Sequence, residues 1–351
     1  MTHEQLVALP DVHEAPNFDN LATVFRRGIP TRPTLFELFM NEDLYRRIAS
    51  GGRPELVEKW PWHKILVEAF RRAGYDYATL HLPGFGFGTK ARRTKSTFSL
   101  NEGFVITDEA SFKAYDWPNP DDADWDAVEK AAEFLPDGMK FVYIGPSGVE
   151  ENTISLVGYE NLCYMMMDEP DLAQEIFDAV GSRILRAYQQ MVKYPFIGAC
   201  IGNDDWGFNT QTLLSVDQIR RYVFPWHKKI VETVHAAGKP IVLHSCGCYR
   251  DIIDDVIDDL HYDARHSYED NIVPVEQAYE DLHDRIAVIG GLDVSFVCTA
   301  TPEQVYERAK AMLQRTEGRG GYALGTGNSV PPYMPHENYF AMLRAAIETR
   351  A

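Results

Sequence analysis

The residues most able to do chemistry sit in short polar clusters. His244-Ser245-Cys246 is the sharpest of them. On an extended strand end, residues i and i+2 point to the same side, so an imidazole and a thiol converge there. That pair is the start of a zinc site, with Glu269 as an oxygen donor if it lies at the end of the next strand. Cys248 continues the same i, i+2 pattern. A His and a Cys packed at a strand end with no metal is the plainer alternative. Asp204-Asp205 is the second cluster. Adjacent carboxylates at a strand-to-loop corner can act as a general base or a substrate clamp, because like-charge proximity raises one pKa; a solvated loop pair is the alternative.

These residues need a frame that brings them together. Eight β-rich runs are legible: 34–39, 77–82, 140–144, 197–201, 240–244, 262–266, 286–289 and 321–324. Amphipathic helical stretches separate the later ones. Leu172, Ile176, Phe177, Val180, Ile184 and Leu185 recur at helical spacing over 171–193. Ser215…Gln218 and Thr301-Pro302…Gln304 are helix starts of the capping type. Alternation of this kind predicts an α/β fold, a (β/α)8 TIM barrel in one domain over 18–351. It adds an N-terminal irregular arm over 1–17 and a long insertion, 83–138, after the second strand, with one helix over 124–134.

In such a barrel the C-terminal strand ends build the active site. Those ends carry Glu37, His81, Asn203, Asp204, Asp205, His244, Cys246, Glu269, Asp293 and Asn328. Polar residues and glycines at all eight ends would be odd on a purely structural face. Glu37, His81, Asn203, Asp293 and Asn328 are therefore expected to contact substrate. Asp254, Asp255, Asp258 and Asp259 have the spacing of a solvated face. Met165–Met167 read as packing residues. Lys90, Arg92, Arg93 and Lys95 form either a solvated loop or an anion clamp.

Several classes are disfavoured. The 351 residues carry 34 Lys+Arg against 52 Asp+Glu, a formal charge of −18, which argues against nucleic-acid or anionic-membrane partners. The five cysteines do not make a disulfide scaffold, and no secretory leader is evident, so a cytoplasmic location is expected. No G-x-S-x-G elbow and no P-loop occur, and Gly84-Phe-Gly86-Phe-Gly88 lacks dinucleotide-fingerprint spacing.

The segments Gly202-Asn-Asp-Asp-Trp-Gly-Phe, Val242-Leu-His-Ser-Cys-Gly, Gly290-Gly-Leu-Asp-Val and Gly321-Tyr-Ala-Leu-Gly-Thr-Gly-Asn-Ser-Val-Pro resemble the uroporphyrinogen decarboxylase-like superfamily. So do Trp117-Pro-Asn-Pro-Asp-Asp and Leu135-Pro-Asp-Gly-Met. This superfamily includes corrinoid-dependent methyltransferases and is related to cobalamin-independent methionine synthase. The resemblance implies a (β/α)8 barrel with zinc at its mouth, held by His244, Cys246 and Glu269. A later Cys of the family pattern falls where this chain has Asn328, so either Asn328, Cys248 or water would complete the site, or zinc affinity is reduced. The resemblance further implies a corrinoid (cobalamin) protein as partner, a small-molecule methyl donor or acceptor, and a homodimer. The decarboxylase branch grips substrate carboxylates with an Arg-Gln-Ala-Gly-Arg-type segment. Here the corresponding stretch reads Pro30-Thr-Arg-Pro-Thr-Leu-Phe-Glu37. Decarboxylation of a carboxylated tetrapyrrole is the second expectation, and a non-catalytic barrel binding a corrinoid or small ligand the third.

Overall fold

A computed structural model describes residues 2–89 and 99–350. Its centre is a parallel sheet of seven strands in sequential order: β1 Tyr77–Leu80, β2 Lys140–Ile144, β3 Ile197–Asn203, β4 Ile241–His244, β5 Ala264–His266, β6 Ala287–Ile289 and β7 Tyr322–Ala323. Each strand pairs only with its sequence neighbours, as right-handed crossovers through intervening helices require. The strands are buried almost throughout, including both faces of Ile241-Val-Leu-His244. A parallel sheet covered by helices demands such apolar runs. The architecture is thus α/β, a curled parallel sheet of the TIM-barrel type.

Seven of the eight expected strands form within two residues of their expected ends. The first does not extend beyond a single bridge. Leu35 pairs with Leu324, where Phe36 N–H donates to Leu324 C=O (2.8 Å) and Leu324 N–H to Thr34 C=O (2.9 Å). A side chain replaces the ladder towards β1: the Tyr77 hydroxyl accepts from Glu37 N–H (2.7 Å) and donates to Glu37 C=O (2.5 Å). Those two backbone groups are satisfied without a second strand.

The helices follow their sequence signals. Pro170–Met191 buries the apolar stripe Leu172, Ile176, Phe177, Val180 and Ile184 and packs against neighbouring helices such as Phe224–Ala236. Thr301 and Gln304 close a reciprocal capping box at the start of Pro302–Thr316, and Ser215 and Gln218 form another. The 83–138 stretch holds a short helix, Glu109–Ala114, besides the expected one, which spans Trp125–Ala132. Within 1–17, His3–Val7 is helical and the rest up to Asn17 is irregular. Asp254 and Asp258 pair with Arg285, Asp255 with Arg220 and Asp259 with Lys228, all at the surface. Met165 and Met166 are buried, whereas Met167 is 77% exposed. Among the described residues no helix is long and apolar enough to cross a membrane.

Candidate active site at the C-terminal strand ends

The strand ends converge on a cavity of about 250 Å³. Six residues singled out in the sequence line it: His81, Asn203, Asp205, His244, Cys246 and Asn328; Glu37 is fully buried, its carboxyl accepting from the N–H of the lining residue Leu38. Phe39 and His81 form its aromatic rim, their rings 6.4 Å apart. Lys90, Arg92, Arg93 and Lys95 lie outside the described residues.

One wall comes from β4, β5 and the turn after β7. His244 Nε2 lies 3.7 Å from Cys246 Sγ and 3.9 Å from Asp205 Oδ1. The donor atoms of these three residues all fall within 4.8 Å of one another. Tetrahedral zinc with bonds of roughly 2.0–2.3 Å would place neighbouring donors about 3.5 Å apart, so the trio fits with small adjustments. The set of one imidazole, one thiol and one carboxylate suits zinc and leaves a fourth position for substrate or water. Asp205 Oδ1 also accepts from Cys246 N–H (2.8 Å), which ties the two donors into one frame. Burial pushes the Cys246 thiol well above its ordinary range, and the Asp205 carboxylate adds to the shift. Burial likewise raises Asp205, and it lowers His244 to about 3, so the imidazole is neutral.

Asn328 stands where a further ligand is expected, and its Nδ2 donates to Cys246 Sγ (3.1 Å). Its turn is anchored from below. The Thr326 hydroxyl, with its one hydrogen, donates to the Asn328 carbonyl (2.5 Å), which can only accept. The 2.7 Å contact between that hydroxyl and Glu37 Oε1 then takes its hydrogen from Glu37. A protonated Glu37 agrees with its complete burial, which raises its pKa to about 8.

The other wall is acidic. Adjacent residues of a strand point to opposite sides, and Asp204 and Asp205 divide accordingly. Asp204 is fully buried and caps the helix Val149–Val157, accepting from Glu150 N–H (2.9 Å) and Glu151 N–H (3.0 Å). His227 Nε2 sits 2.9 Å from the same carboxylate, and its Nδ1 lies 2.7 Å from the Tyr262 hydroxyl. Gly148 admits this arrangement, since a Cβ there would lie 2.0 Å from Asp204 Cγ. Asp204 thus serves the helix start while Asp205 faces the cavity.

Three candidates lie elsewhere. Glu269 is outside the three-donor group; it lines a neighbouring cavity of about 280 Å³ with Asp293, Tyr333 and Asn328. Asp293 caps the helix Val294–Thr299 through Phe296 N–H (2.8 Å) and also accepts from Asp270 N–H (3.0 Å). Cys248 is buried, with its N–H donated to Phe208 C=O (2.7 Å).

Sequence reasoning passed over three residues. Glu151 lines the cavity, with Oε2 held by Asn203 Nδ2 (2.7 Å) and Gly148 N–H (3.1 Å). Burial, then the Asp205 and Asp204 carboxylates, raise it to about 8. The acidic pair after Gly145-Pro-Ser147 was its signal. Arg265 is buried between the Tyr249 and Tyr268 rings, and its guanidinium donates to the Ser245 and Ser267 carbonyls that flank the site. His266 ends β5 and touches His244, Nδ1 to Nδ1, at 2.7 Å.

Comparison with known proteins places this geometry in context. Residues 126–349 match the family profile described as uroporphyrinogen decarboxylase (URO-D). Over 129 residues the chain is 27% identical to a uroporphyrinogen decarboxylase of Koribacter versatilis, which covers 36% of this chain and 34% of that protein. The match therefore spans about a third of that relative's length. A methyltransferase from Methanosarcina mazei superposes with a TM-score of 0.69 at 15% identity, over 96% of this chain and 100% of that one. A Listeria monocytogenes structure assigned as a vitamin-B12-independent methionine synthase gives 0.51 at 11% identity, over 96% and 98%. At these identities both structures speak to the fold alone.

Proposed function

The chain belongs to the uroporphyrinogen decarboxylase (URO-D) family, and on that premise we propose that it is a zinc-dependent methyltransferase. It would move a methyl group between a small molecule and a corrinoid (cobalamin) carried by a partner protein. The observation that supports this reading is the convergence of His244 Nε2, Cys246 Sγ and the Asp205 carboxylate in one cavity. The reading takes residues 18–351 as one (β/α)8 barrel with 1–17 as its arm, acting in the cytoplasm.

His244 and Cys246 are the metal donors, with Asp205 in place of the Glu269 that the resemblance implies. Zinc bound there would supply Lewis acidity, lowering the pKa of a thiol acceptor or polarising the leaving heteroatom of a methyl donor. The remaining work belongs to the chain. Asn328 holds the Cys246 sulfur through its amide. Glu151, pinned by Asn203, keeps a proton beside the cavity at neutral pH. Phe39 and His81 add an aromatic edge that an apolar part of a substrate would meet. A volume of about 250 Å³ suits a small substrate rather than a tetrapyrrole.

Decarboxylation of a carboxylated tetrapyrrole is favoured by the family match. Against it, none of the described residues that line the cavity is Arg or Lys, the cations that would hold several carboxylates.

Elemental analysis of protein purified without a His tag tests the first reading. Near one zinc per chain, lost in Cys246→Ala, supports it, and methyl transfer to or from cobalamin then identifies the substrate class. No zinc after reconstitution, with carbon dioxide released from a porphyrinogen, would replace it with the second.

A further inference from the structure

We propose that His266 is a positioning residue that fixes His244 in the tautomer with its proton on Nδ1, leaving Nε2 as a bare lone pair towards Cys246 and Asp205. The inference rests on the reading of His244 as a metal donor. It follows from counting hydrogens along one chain of contacts. The Thr326 carbonyl can only accept, so His266 Nε2, 3.0 Å away, carries a hydrogen. The Nδ1 atoms of His266 and His244 are 2.7 Å apart and share one hydrogen. In a neutral His266 protonated at Nε2, Nδ1 is the acceptor, so the shared hydrogen belongs to His244. Both rings are buried, where an imidazolium is costly, and a neutral pair satisfies both contacts. His244 Nε2 is then unprotonated, and the groups around it are Cys246 Sγ at 3.7 Å and Asp205 Oδ1 at 3.9 Å. Metal-binding imidazoles are oriented in this way by the partner of their other nitrogen.

The surroundings hold the relay in place. The His266 ring packs on Phe36, with centroids 5.4 Å apart. Gly290 lies against both of its other ends. A Cβ at that position would approach the Thr326 carbonyl to 2.5 Å, His266 Cδ2 to 2.6 Å and Nε2 to 2.8 Å. Gly290 also has φ +69°, so a side chain there is excluded twice. Thr326 is fixed in turn through its hydroxyl to Glu37 and Asn328.

Nitrogen-15 NMR of metal-free protein labelled in the histidine rings tests the inference, with His244→Ala assigning the signals. The expected spectrum has His244 protonated at Nδ1 and His266 at Nε2. In His266→Phe, His244 should populate both tautomers, and zinc affinity, measured by competition with a chelator, should fall roughly 10–100-fold. His266→Asn, whose carbonyl can stand near the lost Nδ1, should restore most of the affinity. A wild-type His244 protonated at Nε2 would overturn the inference. So would His266→Phe with wild-type tautomer and affinity. If His266→Phe fails to fold, the wild-type spectrum and His266→Asn decide. Expected tautomers in a protein that never binds zinc would sink the metal reading alone.

Discussion

The two walls of the cavity are built on opposite principles. On the His–Cys wall, the ring nitrogens of His244 and His266 have nitrogen or oxygen partners among the described residues, save His244 Nε2, whose hydrogen-bonding neighbour is the Cys246 sulfur at 3.7 Å. On the acidic wall, Glu150, Glu151, Asp204 and Asp205 crowd together. Glu150 is fully buried with neither carboxyl oxygen paired among the described residues, and burial with three neighbouring carboxylates drives its pKa well up. The first wall leaves a single lone pair, an arrangement that suits a cation. The second keeps protons at neutral pH, because ionising every member in low dielectric would cost too much. Asp204 alone is fully supplied with donors, and it belongs to the helix start rather than to the cavity.

The largest effect should come from breaking that support. Asp204→Ala leaves two helix-start N–H groups and His227 Nε2 without their partner in a buried place, at about 1–3 kcal/mol each before relaxation. A loss of about 3–5 kcal/mol in urea denaturation is expected. Zinc per folded chain should stay unchanged. Loss of zinc at preserved stability would mean that Asp204, not Asp205, faces the chemistry.

Glu37 offers a second, pH-dependent effect. Its folded pKa, about 8, lies above the ordinary glutamate value of 4.5. The folded chain therefore retains a proton that the unfolded chain releases between those values. Stability from this group is complete below about pH 4.5 and declines as pH rises towards 8, by up to about 1.4 kcal/mol per pH unit. Glu37→Gln keeps the donor to Thr326 and cannot ionise. Relative to wild type, the variant should gain stability between pH 5 and pH 8. Parallel curves for the two proteins would show that Glu37 is ionised in the fold and that Thr326 donates to it.

How much of this was legible beforehand depended on the physics behind each residue. Strand-end position plus i, i+2 spacing located His244, Cys246, Asn203 and Asp205 on one cavity, since both signals are local. The same pleat separates Asp204 from Asp205, but its direction depends on which neighbour faces the barrel, and one strand read alone does not give it. Glu151 sits at a helix start, and its raised pKa comes from tertiary burial and from carboxylates more than fifty positions away. His266 was visible at the end of its strand, yet its role comes from Thr326 and His244 across two strand gaps. The first strand shrinks to one bridge because a tyrosine hydroxyl takes its hydrogen bonds, a tertiary event that no periodicity encodes.

The smallest expected effect discriminates most finely, because it sets Glu269 against Asp205. The family resemblance assigns the oxygen ligand to Glu269, which lines the neighbouring cavity with Asp293 and Tyr333. The geometry favours Asp205, which is 3.9 Å from His244 Nε2 and bonded to Cys246 N–H. Asp205→Asn should weaken zinc binding by at least the roughly 10–100-fold that loss of an outer partner costs. Glu269→Gln should leave it nearly unchanged, because that carboxylate contributes only a distant field at Cys246. The reverse order in a chelator titration would mean that the loop after β5 swings Glu269 in once metal arrives. Asp205 would then be free beside Glu151 as the acid–base group of the acidic wall.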